Sequence, residues 1–555
     1  MITLKDIADK IFPNINEDIS LWEERYPERD LPKGAIVTRF APSPTGFIHM
    51  GSLLTAFIAR KCAKDTNGVF FIRIEDTDEL RSVENGVKGI MDSLNHLNFS
   101  FSEGVVSESN ELGNYGPYTQ TKRKDIYHSY AKYLLINDLA YPCFCSEEDL
   151  VTLREKESSL KDRIGYYGKY AICRSLSNEE VMERLNKNIP FVIRFKSTGK
   201  FENKVVVNDA VKGKIEFPEN DLDLVILKQD GIPTYHFAHV IDDHLMRTTH
   251  IIRGDEWLSS VPIHIDLFNA LKFPLPIYAH LAPVLKVDGN GKRKLSKRKD
   301  PEALVSYYFY LGIPNEALYL YLMTIANTNF EAWFLSNPEK SIDEFTFDFK
   351  KTSKSGSLFD IDKLNNISKN FISKLPANDL YDRAVVYAKE FDNELLDMLL
   401  INRELTINFF NIERNQKKPR KDYTSYKDIK TKIWYLYDEL FFKNNSSITY
   451  ENIPKTTNYN IDLLSDYINF YNELDTKEKW YENIKKLAEK YNYATEVSIY
   501  KESMESFNGH IGDVCEMIRA SITASLTTPD LYAILKLLTK EQISKRIAYF
   551  IEYLK

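Results

Sequence analysis

Cysteine is scarce in this chain: five residues in 555, unevenly placed, cannot knit a disulfide framework through a protein of this length. They are expected to stay thiols or to bind metal. Long apolar runs are missing too. The greasiest stretch, Tyr307 to Ala326, is broken by Gly312, Pro314, Asn315 and Glu316, which argues against a transmembrane helix. Met1 to Ile19 mixes charges with short apolar groups and lacks the basic start, apolar core and small-residue cleavage site of an export signal. The cytoplasm is the expected compartment, with no membrane partner. Nor is positive charge in excess. A formal net charge of -7 argues against a surface coated in positive potential, yet leaves room for basic stripes such as Lys292 to Lys299 and Lys417 to Lys421. The absence of a fixed-period repeat and of any low-complexity tract sets aside solenoids and disordered arrays.

What is present is length and alternation. A chain of 555 residues exceeds what one hydrophobic core organises, so several domains are expected. Ala35 to Phe40 reads as a strand, a Pro/Gly loop follows, Met50 to Ala63 has helical spacing, and Val69 to Ile74 reads as the next strand. A helix is then expected with Val83, Val87, Ile90, Met91, Leu94 and Leu97 on one face. This alternation predicts an α/β fold with a Rossmann-like, doubly wound parallel sheet, whose ligands sit beyond the carboxyl ends of the strands. From about Tyr130 to Asp221 the pattern turns irregular, with short strands at Phe191 to Lys196 and Lys204 to Val207, as an inserted α+β domain would show. The sheet is expected to resume with Leu222 to Lys228 and with His250 to Arg253, which feeds a helix beginning near Trp257. Beyond about Asp300 the chain reads as helical to its end, where Leu531, Leu535, Leu538, Ile547, Phe550, Ile551 and Leu554 recur at helical spacing. Residues 1 to 34 read as an extra, partly helical arm without an assigned role.

Two elements carry chemistry. Arg39, the run Ala41-Pro42-Ser43-Pro44-Thr45-Gly46 and His49-Met50-Gly51-Ser52 place a loop and a histidine at a helix N-terminus, where free N–H groups and the dipole favour phosphate. Gly51 lets a nucleotide approach the backbone, and His49 can donate to a phosphate oxygen. Alone, such a loop is more often plain structure. The second element is Lys294-Leu295-Ser296-Lys297-Arg298, after the turn-rich Val287 to Gly291. Cations on a mobile loop suit triphosphate chemistry, because the charge that builds on α- and β-phosphates must be met by fixed positive groups. Alone, this run is more often a solvated face or a general nucleic-acid patch.

Together and in this order, the two elements resemble the nucleotide-binding motifs of class I aminoacyl-tRNA synthetases in their glutamyl form. Arg73 to Asp78, Gly116-Pro117-Tyr118, Pro233 to His236, Asp242-Asp243-His244 and Ile252 to Trp257 add further matches between them. The resemblance to bacterial-type glutamate-tRNA ligases is strong over Ala35 to Leu320 and weaker beyond, where Arg519, Pro529, Leu535 and Glu541 sit much as in a helical anticodon-binding domain. It implies residues 35–129 and 222–299 as halves of a Rossmann catalytic domain, the second carrying the phosphate loop. It implies 130–221 as an inserted acceptor-stem-binding domain, 300–380 as a stem-contact domain and 381–555 as an anticodon-binding domain. The implied reaction activates L-glutamate with ATP and Mg2+ and transfers it to the 3′ end of tRNA(Glu), with tRNA(Gln) left open as a second acceptor and a monomer as the default state.

Roles follow from that resemblance. Glutamate carries two carboxylates and an ammonium, so Arg39 and Arg253 are its expected carboxylate partners, Glu75 its ammonium partner, and Ser43, Tyr235 and His239 further contacts. His49, Gly51, Ser52, Glu256, Trp257, Lys294, Ser296 and Lys297 are the expected ATP residues, with His49, Lys294 and Lys297 closest to the chemistry. Ser52 stands where the motif has a second histidine, a relaxation compatible with activity. Related enzymes hold zinc near Cys143-Phe144-Cys145, and here Cys143, Cys145, Cys173 and Tyr166, or Tyr170 in its place, are the candidate ligands, Ser175, a poor ligand, standing where a histidine would be sought. Three ordinary thiols are the alternative. For the whole chain the alternatives are a catalytically inactive tRNA-binding relative, a glutaminyl enzyme, and a tRNA-modifying paralogue. The last lacks the long helical half seen here.

Overall fold

The computed structural model describes residues 1–16, 18–44, 46–78, 83–296, 298–455 and 459–555. The chain divides into two compact units, residues 1–308 with 319–360, and residues 309–318 with 361–555.

In the first unit the arm forms helices α1 (Leu4–Ile11) and α2 (Ser20–Arg25), followed by strand β1 (Val37–Phe40), helix α3 (Met50–Asp65) and strand β2 (Val69–Ile72). Helix α4 (Gly86–His96) leads to β3 (Glu103–Val105) and β4 (Glu111–Leu112), and α5 is Lys124–Ile136. β1, β2 and β3 run parallel in register Val37 to Val69 and Phe71 to Glu103. Every residue of β1 is buried, as expected of a parallel strand covered on both faces. The turn from α3 into β2 requires glycine, since a Cβ at Gly68 would stand 2.0 Å from the Ile36 carbonyl oxygen.

The inserted stretch holds β5 (Ala140–Cys143), α6 (Glu147–Ser159), α7 (Asn178–Asn186), β6 (Val192–Phe195), the hairpin β7 (Lys204–Asp209) with β8 (Gly213–Pro218), and β9 (Val225–Leu227). Helix α8 (Tyr235–Leu245) precedes β10 (His250–Gly254), and α9 (Val261–Ala270) precedes β11 (Ile277–Leu281). β10 and β11 pair in parallel, and the Thr249 N–H donates to the Val37 carbonyl at 2.9 Å, which sets this pair beside β1. The hairpin β12 (Val284–Asp288) with β13 (Gly291–Lys294) follows, and β14 (Ser357–Leu358) pairs with β12.

The alternation read from the sequence is therefore borne out as a mixed α/β unit with a helical region after it, and three local expectations change. Val225–Leu227 does not resume the central sheet; it pairs antiparallel with β6, because that edge is offered by the inserted β5–β6 ladder. Val83 precedes α4 and is 47 % exposed, so the apolar face starts later than its spacing implied. The helix near Trp257 opens as a 3-10 stretch, Asp255–Ser260, before α9. Two of the expected domain edges, 129/130 and 380/381, fall within the helices Lys124–Ile136 and Ala377–Phe391.

The arm is fastened to this unit by polar contacts. Arg29 forms a two-pronged pair with Glu103, and Glu23 accepts from Arg247 while standing 2.7 Å from His244. Although burial alone would raise it, these two partners hold the Glu23 carboxyl to about 2. The second unit is helical around buried residues such as Leu380, Ile433, Leu464, Ile518 and Phe550. There Arg519 donates to the carbonyls of Thr528 and Pro529, so this residue ties the loop before Leu531–Leu535.

Candidate active site

β1 presents Arg39 near its carboxyl end, and β10 presents Arg253 near its own. Neighbouring parallel strands whose crossovers run to opposite sides leave a crevice at those ends. A cavity of about 290 Å³ opens there. It is lined by the expected amino-acid residues Arg39, Ser43, Glu75, Tyr235 and Arg253, and by the expected nucleotide residues His49, Gly51, Ser52, Glu256, Trp257 and Lys294.

Two of the expected residues lie off this lining. His239 does not line the cavity: it is fully buried, stacks on Tyr235 with centroids 5.5 Å apart, and sets Nδ1 2.8 Å from an Asp243 oxygen. It therefore backs Tyr235 instead of facing the cavity. Ser296 also lies off the lining, its N–H donating to Asp300 at 2.9 Å. Lys297, and Thr45 of the first motif, lie outside the described residues.

Arg39 and Glu75 belong to a buried ionic network centred on Asp243. Its carboxylate accepts from Arg39 Nε at 3.0 Å, Arg39 Nη2 at 3.2 Å and Arg73 Nη1 at 2.8 Å. Arg73 Nη2 donates onward to Glu75 at 2.9 Å. One helical residue earlier, Asp242 accepts from Arg123, Gln120 and Tyr127. Burial alone would raise the Asp243 carboxyl, but Arg39 and Arg73 hold it well below the usual range. Glu75 moves the other way, pushed up by burial against the opposing pull of Arg73. A buried carboxylate that is costly to ionise gains when a cation enters beside it, which suits an ammonium ligand. Arg39 makes no hydrogen bond through Nη1 among the described residues, leaving that edge for a carboxylate.

Arg253 is held from several sides. Its Nε donates to His280 Nε2 at 3.0 Å, Nη1 to the Tyr235 hydroxyl at 3.2 Å, and Nη2 faces His264 Nδ1 at 3.3 Å. Tyr235 in turn packs on Trp257 with centroids 4.2 Å apart. Sequence reasoning quoted Arg73, Asp242 and Asp243 within motifs but gave them no role, and had no signal at all for Asp209, His264 or His280.

On the nucleotide side, His49 caps α3. Its Nδ1 accepts the Ser52 N–H at 3.1 Å, so the ring proton resides on Nε2, which meets Ser52 Oγ at 2.8 Å. Gly51 leaves room for this cap: a Cβ there would stand 3.2 Å from the His49 ring, which would have to give by a few tenths of an ångström. The N-terminus of α3 thus opens into the cavity with a serine in place of a second histidine. The β12–β13 hairpin is anchored by Asp300, which is 2 % exposed and accepts from both Arg293 Nη1 at 2.6 Å and Nη2 at 2.8 Å. Lys294 Nζ lies 3.6 Å from Glu256, both side chains being more than half exposed.

The histidines around Tyr235 are held neutral. Burial lowers His236 to about 4 and His239 to about 3, and it depresses His264 and His280 as well. The unfolded chain protonates these rings near 6.5 and the folded chain does not, so their contribution is complete above pH 6.5 and falls as pH drops toward 4. Glu75, Asp223 and Asp266, raised by burial, work in the opposite sense but are fewer. Stability, read as the melting temperature, is expected to fall progressively from pH 7 to pH 5, the free energy of unfolding losing at most about 1.4 kcal/mol per pH unit for each ring. A flat profile over that interval would show that the rings are not held neutral.

Apart from the cavity, Cys143, Cys145 and Cys173 place their sulfur atoms within 4.8 Å of one another. Cys145 and Cys173 are 3.6 Å apart, near the edge of about 3.8 Å that Zn–S bonds of about 2.3 Å give a tetrahedron. The Tyr166 hydroxyl lies 3.4 Å from Cys143 and 3.3 Å from Cys145, and Ser175 lies elsewhere, its hydroxyl donating to Ile172. The Phe144 N–H points at Cys173 Sγ and the Cys173 N–H at the Tyr166 oxygen, as backbone donors do around anionic ligands. Hydrogen bonds from Cys145 and Cys173 press the Cys143 thiol far down, favouring a thiolate. Three sulfurs and a phenol oxygen fit a closed metal site.

The family model "tRNA synthetases class I (E and Q), catalytic domain" matches residues 35–366. The glutamate–tRNA ligase of Acetivibrio thermocellus is 44 % identical over 547 residues, covering 98 % of this chain and 99 % of that one. That of Clostridium perfringens strain 13 is 42 % identical, covering 98 % and 100 %. Among solved structures, a glutamate tRNA ligase from Elizabethkingia meningosepticum in complex with its amino acid superposes with a TM-score of 0.72. It is 27 % identical and covers 94 % of this chain and all of that one.

Proposed function

Because the chain belongs to the class I tRNA synthetases of the glutamate–tRNA ligase family, we propose that it activates L-glutamate with ATP and esterifies it to the 3′-terminal adenosine of tRNA(Glu). The observation that carries this reading is that one cavity gathers two guanidiniums, a buried carboxylate and a helix N-terminus with a nearby lysine. The first three match the charges of glutamate, and the last two match a triphosphate.

A glutamate carboxylate oxygen attacks the α-phosphorus of ATP, the bond to the bridging oxygen breaks, and diphosphate leaves. The carboxylate is already a nucleophile, so the protein needs no general base at this step. Arg39 and Arg253 orient the amino acid, Glu75 takes its ammonium, and Tyr235 braces Arg253. His49 and the α3 N-terminus face the nucleotide, and Lys294 with Lys297 meet the charge building on the leaving phosphates. Mg2+, when bound with ATP, would share that charge. The tRNA ribose hydroxyl then attacks the glutamyl carbonyl and releases AMP. Residues 130–221 would receive the acceptor end, 300–380 the stem and 381–555 the anticodon, with the chain acting as a monomer.

The test is charging of purified tRNA(Glu) and tRNA(Gln) with labelled glutamate or glutamine, with and without ATP. Glutamate on tRNA(Glu) only with ATP is the expected result. Binding of tRNA without charging would overturn the reading in favour of an inactive relative.

A closed zinc site at Cys143, Cys145, Cys173 and Tyr166 belongs to the same proposal. Elemental analysis of purified protein is expected to find about one zinc per chain, lost in Cys173→Ala. Metal-free wild-type protein with unchanged thermal stability would instead mark three ordinary thiols.

A further inference from the structure

The side of Arg253 turned away from the cavity is occupied by a second carboxylate–imidazole pair that the reaction does not use. Asp209 is the last residue of β7, in the hairpin inserted between the two halves of the sheet, and it is 4 % exposed. One of its oxygens accepts the backbone N–H groups of Val211 at 2.9 Å and Lys212 at 2.8 Å, which shapes the hairpin turn. The other accepts the His280 backbone N–H at 3.1 Å and lies 2.6 Å from His280 Nδ1. A carboxylate so placed can only accept, so the His280 proton resides on Nδ1. Nε2 is then a bare acceptor, and it receives Arg253 Nε–H at 3.0 Å. His280 is fully buried and stacks on Tyr278, centroids 5.7 Å apart, so its ring has no freedom to turn.

The other flank repeats the logic. An arginine cannot accept, so His264 Nδ1 is the acceptor toward Arg253 Nη2 at 3.3 Å, and its Nε2 proton points to His236 Nδ1 at 2.9 Å. Arg253 is therefore gripped between two neutral imidazoles, and only the His280 side has its tautomer fixed by a carboxylate. Asp209 reaches it from a different chain segment, 71 residues before His280.

We propose that Asp209 and His280 are positioning residues for Arg253: Asp209 fixes the Nδ1–H tautomer of His280, whose Nε2 orients the guanidinium so that its Nη1 edge and Tyr235 meet a carboxylate of the amino-acid substrate. This rests on the reading of Arg253 as a carboxylate partner. Because the orienting carboxylate lies on the inserted hairpin, the hairpin's seating and the amino-acid site are coupled through one imidazole.

Asp209→Asn is the informative change. The amide oxygen can keep the turn by accepting from Val211 and Lys212, and at 3.3 Å it can take over the His280 backbone N–H, while its NH2 faces His280 Nδ1. That forces the ring proton to Nε2, where it confronts Arg253 Nε–H, donor against donor. The same tautomer logic makes an Asp-to-Asn exchange beside a catalytic histidine severe while leaving geometry intact. Charging of tRNA(Glu) by full-length protein is expected to show a glutamate KM raised about 10- to 100-fold, with the ATP KM within about twofold and the melting temperature little changed.

His280→Phe, which keeps the stack but removes the acceptor, should behave alike. His280→Gln, whose amide oxygen can still accept from Arg253, should recover most of the affinity. Arg253→Lys separates the two layers. If it leaves the glutamate KM unchanged, the reading of Arg253 is wrong. If it raises the KM while Asp209→Asn and His280→Phe do not, the positioning role is overturned. Equal losses for glutamate and ATP in Asp209→Asn would also overturn it, since they would mark general damage to the fold.

Discussion

Asp243→Asn is expected to destabilise the first unit by about 3–5 kcal/mol and to raise the glutamate KM sharply, because it removes the one charge that keeps two buried guanidiniums apart and in place. Asp243 accepts from Arg39 Nε and Nη2 and from Arg73 Nη1, with all three side chains 4 % exposed or less. In water such a pair is worth little, but here neither arginine can turn to solvent when its partner is neutralised. Arg73 would keep Glu75, a carboxyl whose ionised form burial already disfavours, and Arg39 would lose the carboxylate it is hydrogen-bonded to, keeping only the longer-range pull of Glu75. The loss is thus both structural and functional: the network holds the unit together and sets the angle of a substrate-facing arginine. Urea unfolding followed by fluorescence would read the midpoint, and charging kinetics the KM. An exposed control, Asp343→Asn, whose partner Lys64 is 58 % exposed, should cost no more than about 1 kcal/mol. If Asp243→Asn were as mild as that control, the network would be an ornament of the site and not its frame.

The sequence made the frame of this site legible and left its supports dark, for a physical reason. Residues that meet a ligand must lie at strand ends and helix starts, and those places announce themselves. Arg39 ends an apolar run, His49 and Gly51 open an apolar helix after a Pro/Gly loop, and Lys294 follows a turn. All of these line one cavity. Supporting residues are chosen by neighbours far away in the chain. Asp209 sits in a strand that reads as any half-polar hairpin, and nothing near it hints at a histidine 71 residues later. His239 shows the same limit, since helical spacing puts it near Tyr235 but cannot say whether its ring faces the cavity or Asp243. Val225–Leu227 shows the corresponding limit for the fold. An apolar triplet fits any sheet edge, and the inserted ladder took it. The three thiols stand between these cases. The family resemblance pointed to a cluster with a tyrosine beside it, and the fold brings Tyr166 alongside while Ser175 bonds elsewhere.

Lys294→Ala is expected to slow charging about 10²- to 10³-fold in kcat/KM, the cost of removing one fixed donor from the place where charge develops, while leaving tRNA binding intact. Lys294 closes β13, and β13 is held by the antiparallel ladder to β12 and by Arg293 on Asp300, so the base of the side chain is rigid. Its ammonium is not. The contact with Glu256 is 3.6 Å long between side chains that are 57 % and 54 % exposed, a surface pair that contributes at most about 1 kcal/mol. A triphosphate bearing several negative charges therefore displaces Glu256 at small cost, and a lysine on a fixed strand end can swing onto it without reordering the loop. Lys292, two residues earlier on the same strand and exposed, shares the net charge but is absent from the cavity lining. Lys292→Ala should change charging by less than about twofold, which separates a specific phosphate contact from general basic attraction. By the family resemblance Lys297→Ala should match Lys294→Ala. If only Lys297→Ala is severe, the charge on the leaving phosphates is met there alone, and Lys294 serves to hold Glu256 out of the nucleotide's way.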